Sequence, residues 1–379
     1  MHDISPPPRF RTGVFLQPVH DPRQNPTVTL QDDLDLIVQL DRLGYDEAWI
    51  GEHHSSGWEP LPSPAPFLAV AAERTRSIRL GSGIVPLPLH HPLALAGEYA
   101  LLDHLTRGRV ALGVGPGGGI PTDPLVFGLD PARQPAMFLE RLDVLMRLFA
   151  ETEPFDHDGD GFTLRNAVLQ LRPRSRPHPE IAIVTGSNRQ SLRRIGRYGA
   201  RWLVGAPPDR FEQAWAEIEA GARDAGREAR RSDAVLPVTV HLADSKERAL
   251  DEVREGAARE RFDFQVPVTG ASIPDVPRER WVEHLDRRPT VVIGTPDEAT
   301  EAIDALRRAT GIGGVLLTVK RWASPEATAR SFDAFARTVA AALQGSTDGL
   351  ASAERAATEM MRSTTTNQET PPGGTSASR

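Results

Sequence analysis

The chain has 379 residues, of which 39% are hydrophobic and 25% charged, and it contains no cysteine. This composition fits a globular protein and excludes collagen, coiled coil, disulfide scaffolds, thiolate nucleophiles and cysteine-ligated metals, so any redox chemistry needs a bound cofactor. The 44 basic and 51 acidic side chains leave a net charge of −7; with no dense basic stripe and no apolar run near ~18 residues, neither nucleic-acid binding nor a membrane span is expected.

The N-terminus, MHDISPPPRFR, lacks the basic start and apolar middle of a secretory signal, so a cytoplasmic location is expected. Its prolines predict a disordered arm over residues 1–10. From residue 12 onward, short apolar runs alternate with helical-period segments, the signature of βα units around a parallel sheet. The run 12–17 reads as a buried strand; Leu30, Leu34, Ile37 and Val38 then recur at helical spacing behind Thr29 as N-cap, ending at Gly44. A strand at 46–50, a helix at 65–75 and a strand at 77–83 follow. Pro92 opens a helix reaching Leu105, ahead of a strand at 109–114. Phe138, Leu142, Leu145, Met146 and Phe149 mark one face of the clearest helix.

Further strands are expected at 181–185, 201–204, 235–242 and 313–318, with helices at 187–198, 209–225, 245–259 and 296–309. Eight such strands predict a closed (β/α)8 TIM barrel over 11–344, since open doubly wound sheets more often stop at about five or six. Two insertions interrupt the repeat: 151–175, with a hairpin around an Asp/Gly turn, and the proline-punctuated 260–292, placed near the barrel mouth. Residues 345–379, rich in Ser, Thr, Gly and Pro, read as a disordered tail with room for a frayed helix at 350–361.

In such a barrel the active site forms at the C-terminal strand ends, so position within each unit singles out a few loops. Gly51-Glu52-His53-His54 follows the second strand, and alternation predicts that the two histidines point different ways. Ser82 and Gly83 offer a small-residue ledge for a flat ring, against the plainer reading of close packing. His90 and His91 lie nearby, but adjacent histidines make poor partners on one ion and there is no H-E-x-x-H helix, so no metal is expected. Gly113, Gly115 and Gly118 formally fit G-x-G-x-x-G; Pro116, Pro121 and Pro124 keep that stretch a loop, so the dinucleotide match is rejected. Thr185-Gly186-Ser187, leading to Ser191, places hydroxyls and a helix N-terminus where an anion binds, although a simple N-cap serine also explains Ser187. Asp156, Asp158, Asp160 and Gly161 match half a calcium loop, but position twelve is Ala167, so a polar turn is expected. The charge-rich segment 215–231 reads as a solvated face.

These segments, together with GYDEAWIGEHHSS, LPLHHPL and LDHLTRGRV, resemble the bacterial-luciferase-like flavin monooxygenases over most of residues 10–342, and most of all the limonene-epoxidising members. The resemblance implies reduced FMN at the C-terminal face of the barrel, supplied by a separate NAD(P)H:flavin reductase, with molecular oxygen as co-substrate. It also implies a homodimer. Carried over by position, His53 matches the active-site histidine, Gly83-Ile84 the strained peptide under the flavin ring, and Gly186, Ser187 and Ser191 the phosphate loop; Ser82 and Gly115 line the ring site. The chain departs from the family at Pro116, where luciferases place a phosphate-binding arginine; Arg189 or an arginine of 260–292 would have to substitute.

The implied reaction passes one oxygen atom to a small apolar substrate, as in epoxidation of a terpene such as limonene, with Phe15, Trp58 and the 260–292 insertion as walls and His53 as an acid–base or hydrogen-bonding group. The alternatives are Baeyer–Villiger oxidation or hydroxylation of a specialised metabolite, a deazaflavin-dependent oxidoreductase, a non-catalytic flavin-binding subunit and, least favoured, a metal-dependent hydrolase.

Overall fold

The computed structural model describes residues 9–17, 19–205 and 208–368. Eight parallel strands form the barrel: β1 (Arg11–Leu16), β2 (Glu47–Ile50), β3 (Arg79–Ser82), β4 (Val110–Gly115), β5 (Glu180–Thr185), β6 (Arg201–Val204), β7 (Ala234–Leu242) and β8 (Gly314–Val319). Each pairs with its successor, and β8 returns to β1 with Gly13 opposite Leu316, so the ring is closed. The expected (β/α)8 barrel is the fold.

Strand alternation sorts the side chains into two cores. Outward residues such as Val14, Ile50, Leu112, Ile183 and Leu317 pack under the helices, among them the buried face Phe138, Leu142, Leu145, Met146 and Phe149 of helix Gln134–Ala150. Inward residues stack in layers. At the floor, Arg201 is buried between Glu47, with Nη2 to Oε1 at 2.6 Å, and Glu180 at 3.1 Å. Above it Trp49 lies flat among Ala111, Ala182, Leu203, Val235 and Leu316. The indole spans the barrel because Gly81 and Gly113 flank it: a Cβ on Gly81 would sit 2.3 Å from the ring. The top layer, Phe15, Ile84 and Val184, is only partly covered and forms the base of the barrel mouth.

Several local readings change. The first helix, Pro26–Arg42, is capped by Asn25 rather than Thr29: Asn25 accepts from the Thr27 N–H at 3.0 Å and Pro26 occupies N1, so the helix begins a turn earlier. The insertion 151–175 contains the expected hairpin, Phe155–Gly159 with Phe162–Ala167, turning at Asp160-Gly161. The segment 260–292 is irregular only in part: residues 270–277 carry no helix or strand, while the stretches on either side of them do. Helix Lys246–Arg259 runs on through a π-turn to Gln265, and strand Val291–Gly294 adds a parallel partner to β7. Residues 235–238 of β7 pair with β8, but 239–242 pair with this extra strand, and beyond the paired residues the Thr239 and Thr318 hydroxyls meet at 2.7 Å.

The eighth unit closes with a helix the sequence reading did not assign, running from Pro325 through a π-turn to Leu343. It is fixed by Tyr45, whose hydroxyl donates to the Phe332 carbonyl at 3.0 Å and whose ring stacks on Phe335. Of the expected arm, residues 1–8 lie outside the described residues, while Phe10 is buried in the core. Of the expected tail, 369–379 lie outside them; Asp348–Gln368 is helical, longer than the 350–361 read from sequence. Among the described residues, no helix is long and apolar enough to cross a membrane.

Candidate active site

β2 delivers Glu52, His53 and His54 to the mouth, and the two histidines diverge as alternation predicts. His53 is held on both sides: Nδ1 donates to Asp123 at 2.8 Å and Nε2 to Glu59 at 2.7 Å. Burial works against a charged ring, yet the hydrogen bonds and charges of Asp123 and Glu59 outweigh it and raise the His53 pKa to about 9. The ring is therefore an imidazolium at neutral pH. Asp123 opens the short helix Asp123–Val126 and also accepts from the backbone N–H groups of His54 and Ser55, both at 2.9 Å, and from the Ser55 hydroxyl at 2.7 Å. Burial pushes its carboxyl up, but these donors and the His53 charge bring it down to about 2. Sequence reasoning missed Asp123 and Glu59; Asp123 lies 70 positions from His53, with no local pattern linking the two.

His54 turns the other way. Its Nε2 and that of His90 both donate to the same Glu52 oxygen, at 2.8 and 2.6 Å, and Glu52 is fully buried. These three groups bring possible ligand atoms within 4.8 Å of one another, a spacing that the shared hydrogen bonds account for.

The ledge after β3 divides into two parts. Ser82 is wholly buried and its hydroxyl is used by Gly113, donating to the carbonyl and accepting from the N–H, each at 3.0 Å, so it bridges β3 to β4 and does not face the mouth. Beyond it the Gly83–Ile84 peptide is cis, and Val85–Pro86 pairs with Val114–Gly115. At Gly115 a Cβ would lie 2.6 Å from Val184 and 3.0 Å from Ile84. Backbone and the tips of Phe15, Ile84 and Val184 thus make a flat apolar floor above the barrel. The glycine stretch that follows is loop, with Gly117 and Gly118 at positive φ, and no helix starts there until Asp123.

After β5, helix Arg189–Tyr198 is capped by Asn188, one residue beyond the expected Ser187. Asn188 accepts from the Ser191 N–H at 2.9 Å and from its hydroxyl at 3.1 Å, so Ser191 is buried in the cap. Gly186 and the exposed Ser187 remain at the loop surface with the first helical N–H groups. Three of the expected arginine substitutes have other partners: Arg189 pairs with Glu217 at 3.0 Å, Arg278 with Asp263 at 2.6 Å, and Arg261 donates to Gln265 at 3.0 Å and to the Ser272 carbonyl at 2.6 Å. At Pro116 the carbonyl accepts from Gln134 at 3.1 Å.

On the opposite side of the mouth, Trp58 packs with Phe264, Val19, Ile120 and Val268, its ring 5.8 Å from that of Phe264. Phe264 and Val268 of the insertion therefore meet the loop after β2 at Trp58.

Residues 10–313 match the luciferase-like monooxygenase family. The chain belongs to that family. It is similar to the 4-hydroxyprotoasukamycin monooxygenase of Streptomyces nodosus subsp. asukaensis, 41% identical over 90% of this chain and 94% of the relative. It is also similar to the limonene 1,2-monooxygenase of Rhodococcus erythropolis, 34% identical over 89% of this chain and 87% of the relative. Among solved structures, the oxygenating constituent of 3,6-diketocamphane monooxygenase from Pseudomonas putida, a type II Baeyer–Villiger enzyme in complex with FMN, superposes with a TM-score of 0.73. That structure is 25% identical, covering 88% of this chain and 98% of its own. Within this luciferase-like barrel, the floor at Ile84 and Gly115, the loop at Gly186-Ser187 and the clamped His53 all lie at the C-terminal strand ends.

Proposed function

We propose that the protein is the oxygenating component of a two-component flavin monooxygenase, receiving reduced FMN from a separate NAD(P)H:flavin reductase and transferring one atom of molecular oxygen to a small organic substrate. The observation that carries this reading is the flat floor of backbone and apolar tips at Gly83, Ile84, Gly115 and Val184, which a side chain at Gly115 would fill. It suits a planar ring lying across the barrel, and Gly186, Ser187 and the N-terminus of helix Arg189–Tyr198 suit a phosphate at its edge. Bound reduced FMN supplies the electrons, with one oxygen atom going to the substrate and the other leaving as water.

The chain's own residues position and protect. Phe15, in the floor and not a wall as the sequence predicts, and Trp58 at the rim give apolar surface that excludes water. His53 is proposed as the proton donor, its Nε2–H leaving Glu59 for the reacting oxygen while Nδ1 stays on Asp123. Oxygen transfer to an alkene calls for an acid, whereas attack on a ketone calls for a base; an imidazolium held between Asp123 and Glu59 is suited to the first. This favours epoxidation, of which terpene oxidation is the expected example, over Baeyer–Villiger chemistry. For the homodimer, Val70, Leu101 and Leu105 stand exposed on the neighbouring helices Pro64–Arg74 and Pro92–Leu105.

The test combines the protein, a generic flavin reductase, FMN and ¹⁸O₂ with a panel of alkenes and ketones. Label in an epoxide is expected; no label in any product sinks the oxygenase reading. His53→Ala is expected to bind FMN as the wild type does and to lose about 100-fold or more in turnover. Unchanged turnover removes His53 from the chemistry, and tighter binding of a deazaflavin than of FMN overturns the cofactor assignment.

A further inference from the structure

The strand alternation that turns Trp49 and His53 inward turns Ile50, Glu52 and His54 to the outer side of the barrel wall. There Glu52 and His54 meet His90, which ends the single turn Leu87–Leu89 beyond β3. Adjacent histidines make poor partners on one ion, but the two that converge here come from different βα units. One candidate ligand atom from each of Glu52, His54 and His90 lies within 4.8 Å of the other two. The His53 cluster has no such arrangement, because its carboxylates, Asp123 and Glu59, occupy opposite ring nitrogens.

Hydrogen bonds explain why both rings approach Glu52, but they leave half of its carboxylate unexplained. The two Nε2 atoms, at 2.8 and 2.6 Å, crowd onto Oε1. Oε2 is buried and meets no hydrogen-bond donor among the described residues. A buried carboxylate oxygen without a partner is costly, and a cation shared with the two rings satisfies it. A second carboxylate, Glu98 on helix Pro92–Leu105, is near enough to interact electrostatically with both His90 and Glu52. Two imidazoles and a carboxylate are a donor set for a borderline ion such as Zn²⁺ rather than for Mg²⁺, which takes oxygen ligands.

We infer that Glu52, His54 and His90 form a zinc site, the rings ligating through Nε2 and Glu52 through its carboxylate. Coordination uses the Nε2 lone pair, so each neutral ring carries its single proton on Nδ1 instead. Ligand atoms around a tetrahedral zinc lie roughly 3.3 Å apart, so each ring draws back from Oε1 by roughly 0.5–0.7 Å. The side chains of His54 and His90 are 16% and 26% exposed, which gives them room to turn, the ion a path from solvent, and water a place as fourth ligand. Because Glu52 and His54 flank His53 in the chain, the ion pins the loop that carries His53 to the segment after β3. The assignment does not depend on the oxygenase reading.

The tag-free full chain, stripped of metal with a chelator, is titrated calorimetrically with Zn²⁺ and separately with Mg²⁺. One equivalent of Zn²⁺ is expected to bind, at least about 100-fold more tightly than Mg²⁺, and to raise the Tm. His54→Ala and His90→Ala are each expected to weaken Zn²⁺ by more than the about 10- to 100-fold typical of losing a group behind a ligand. Glu59→Gln, which alters the His53 cluster instead, is expected to leave affinity and stoichiometry unchanged. Zinc held no more tightly than Mg²⁺ by the wild type overturns the inference, as does affinity that survives in both histidine variants or is lost in Glu59→Gln. Should a histidine variant fail to fold, NMR of the wild-type histidine rings locates the ion: added Zn²⁺ is expected to shift the Nε2 signals of His54 and His90, and signals that do not move overturn the site.

Discussion

Replacing Asp123 by Asn removes one charge from the pair that clamps His53 and leaves an oxygen to accept from the N–H groups of His54 and Ser55. The rise of the His53 pKa from its ordinary 6.5 to about 9 corresponds to about 3 kcal/mol of preference for the charged ring, at about 1.4 kcal/mol per pH unit. Asp123 is one of two carboxylates at comparable distance, and together they also offset the burial that lowers the pKa, so the variant forfeits at least half of this, about 1.5 kcal/mol or more. The sign follows from linkage: a raised histidine contributes stability that is complete below pH 6.5 and is lost as pH rises through about 9. Asp123, lowered from 3.8 to about 2, contributes the same interaction from its own side, present above 3.8 and lost as pH falls through about 2. The difference in unfolding free energy between wild type and Asp123→Asn is thus largest from about pH 4 to 6.5 and smallest above about 9 and below about 2. Denaturant titrations across this range measure it, and NMR titration of the His53 ring tracks the pKa directly. A wild-type ring that titrates near 6.5, or one that titrates identically in both proteins, refutes the clamp.

Two further substitutions test the frame beneath the site. In Gly113→Ala the new Cβ would lie 2.0 Å from the Ser82 carbonyl oxygen and 3.0 Å from the Trp49 ring, so two barrel strands must move apart; a loss of about 3 kcal/mol or more is expected in chemical denaturation, and a loss under about 0.5 kcal/mol would show that the barrel adjusts freely. Arg201→Met strands the Glu47 carboxylate in the barrel floor, with an expected cost of about 3–5 kcal/mol, most of which Glu47→Leu in the same chain restores because the remaining carboxylate, Glu180, keeps Arg79 at 3.1 Å and Arg11 at 3.6 Å.

The barrel was legible because its signals are local. Alternating strands and helical-period helices recur eight times, and chain order alone then sets the ring. The helix Pro325–Leu343 was not assigned from the sequence although its buried Phe332, Phe335 and Val339 stand at i, i+3 and i+7, a helical spacing. The segment 260–292 read as irregular because its prolines and polar residues hide a helix extension and a four-residue strand whose only partner is β7.

At the mouth, the residue types and their places in the βα repeat gave His53, Gly83, Gly115 and the Gly186-Ser187 loop, and resemblance gave the family. What lay beyond a single sequence was which partner each group keeps. Ser82 and Ser191, both small and polar at promising positions, are taken up by Gly113 and Asn188. His53 is a cation only because Glu59 and the distant Asp123 converge on it, and His90 reaches Glu52 across a gap of 38 residues in the chain. The sequence by itself determined the barrel, the end of it proposed to carry the chemistry and, in a chain without cysteine, the reliance of any redox chemistry on a bound cofactor. Tertiary structure alone decided protonation and polarity there, because a side chain's charge state depends on burial and on neighbours within a few ångströms, and those neighbours come from strands far apart in sequence.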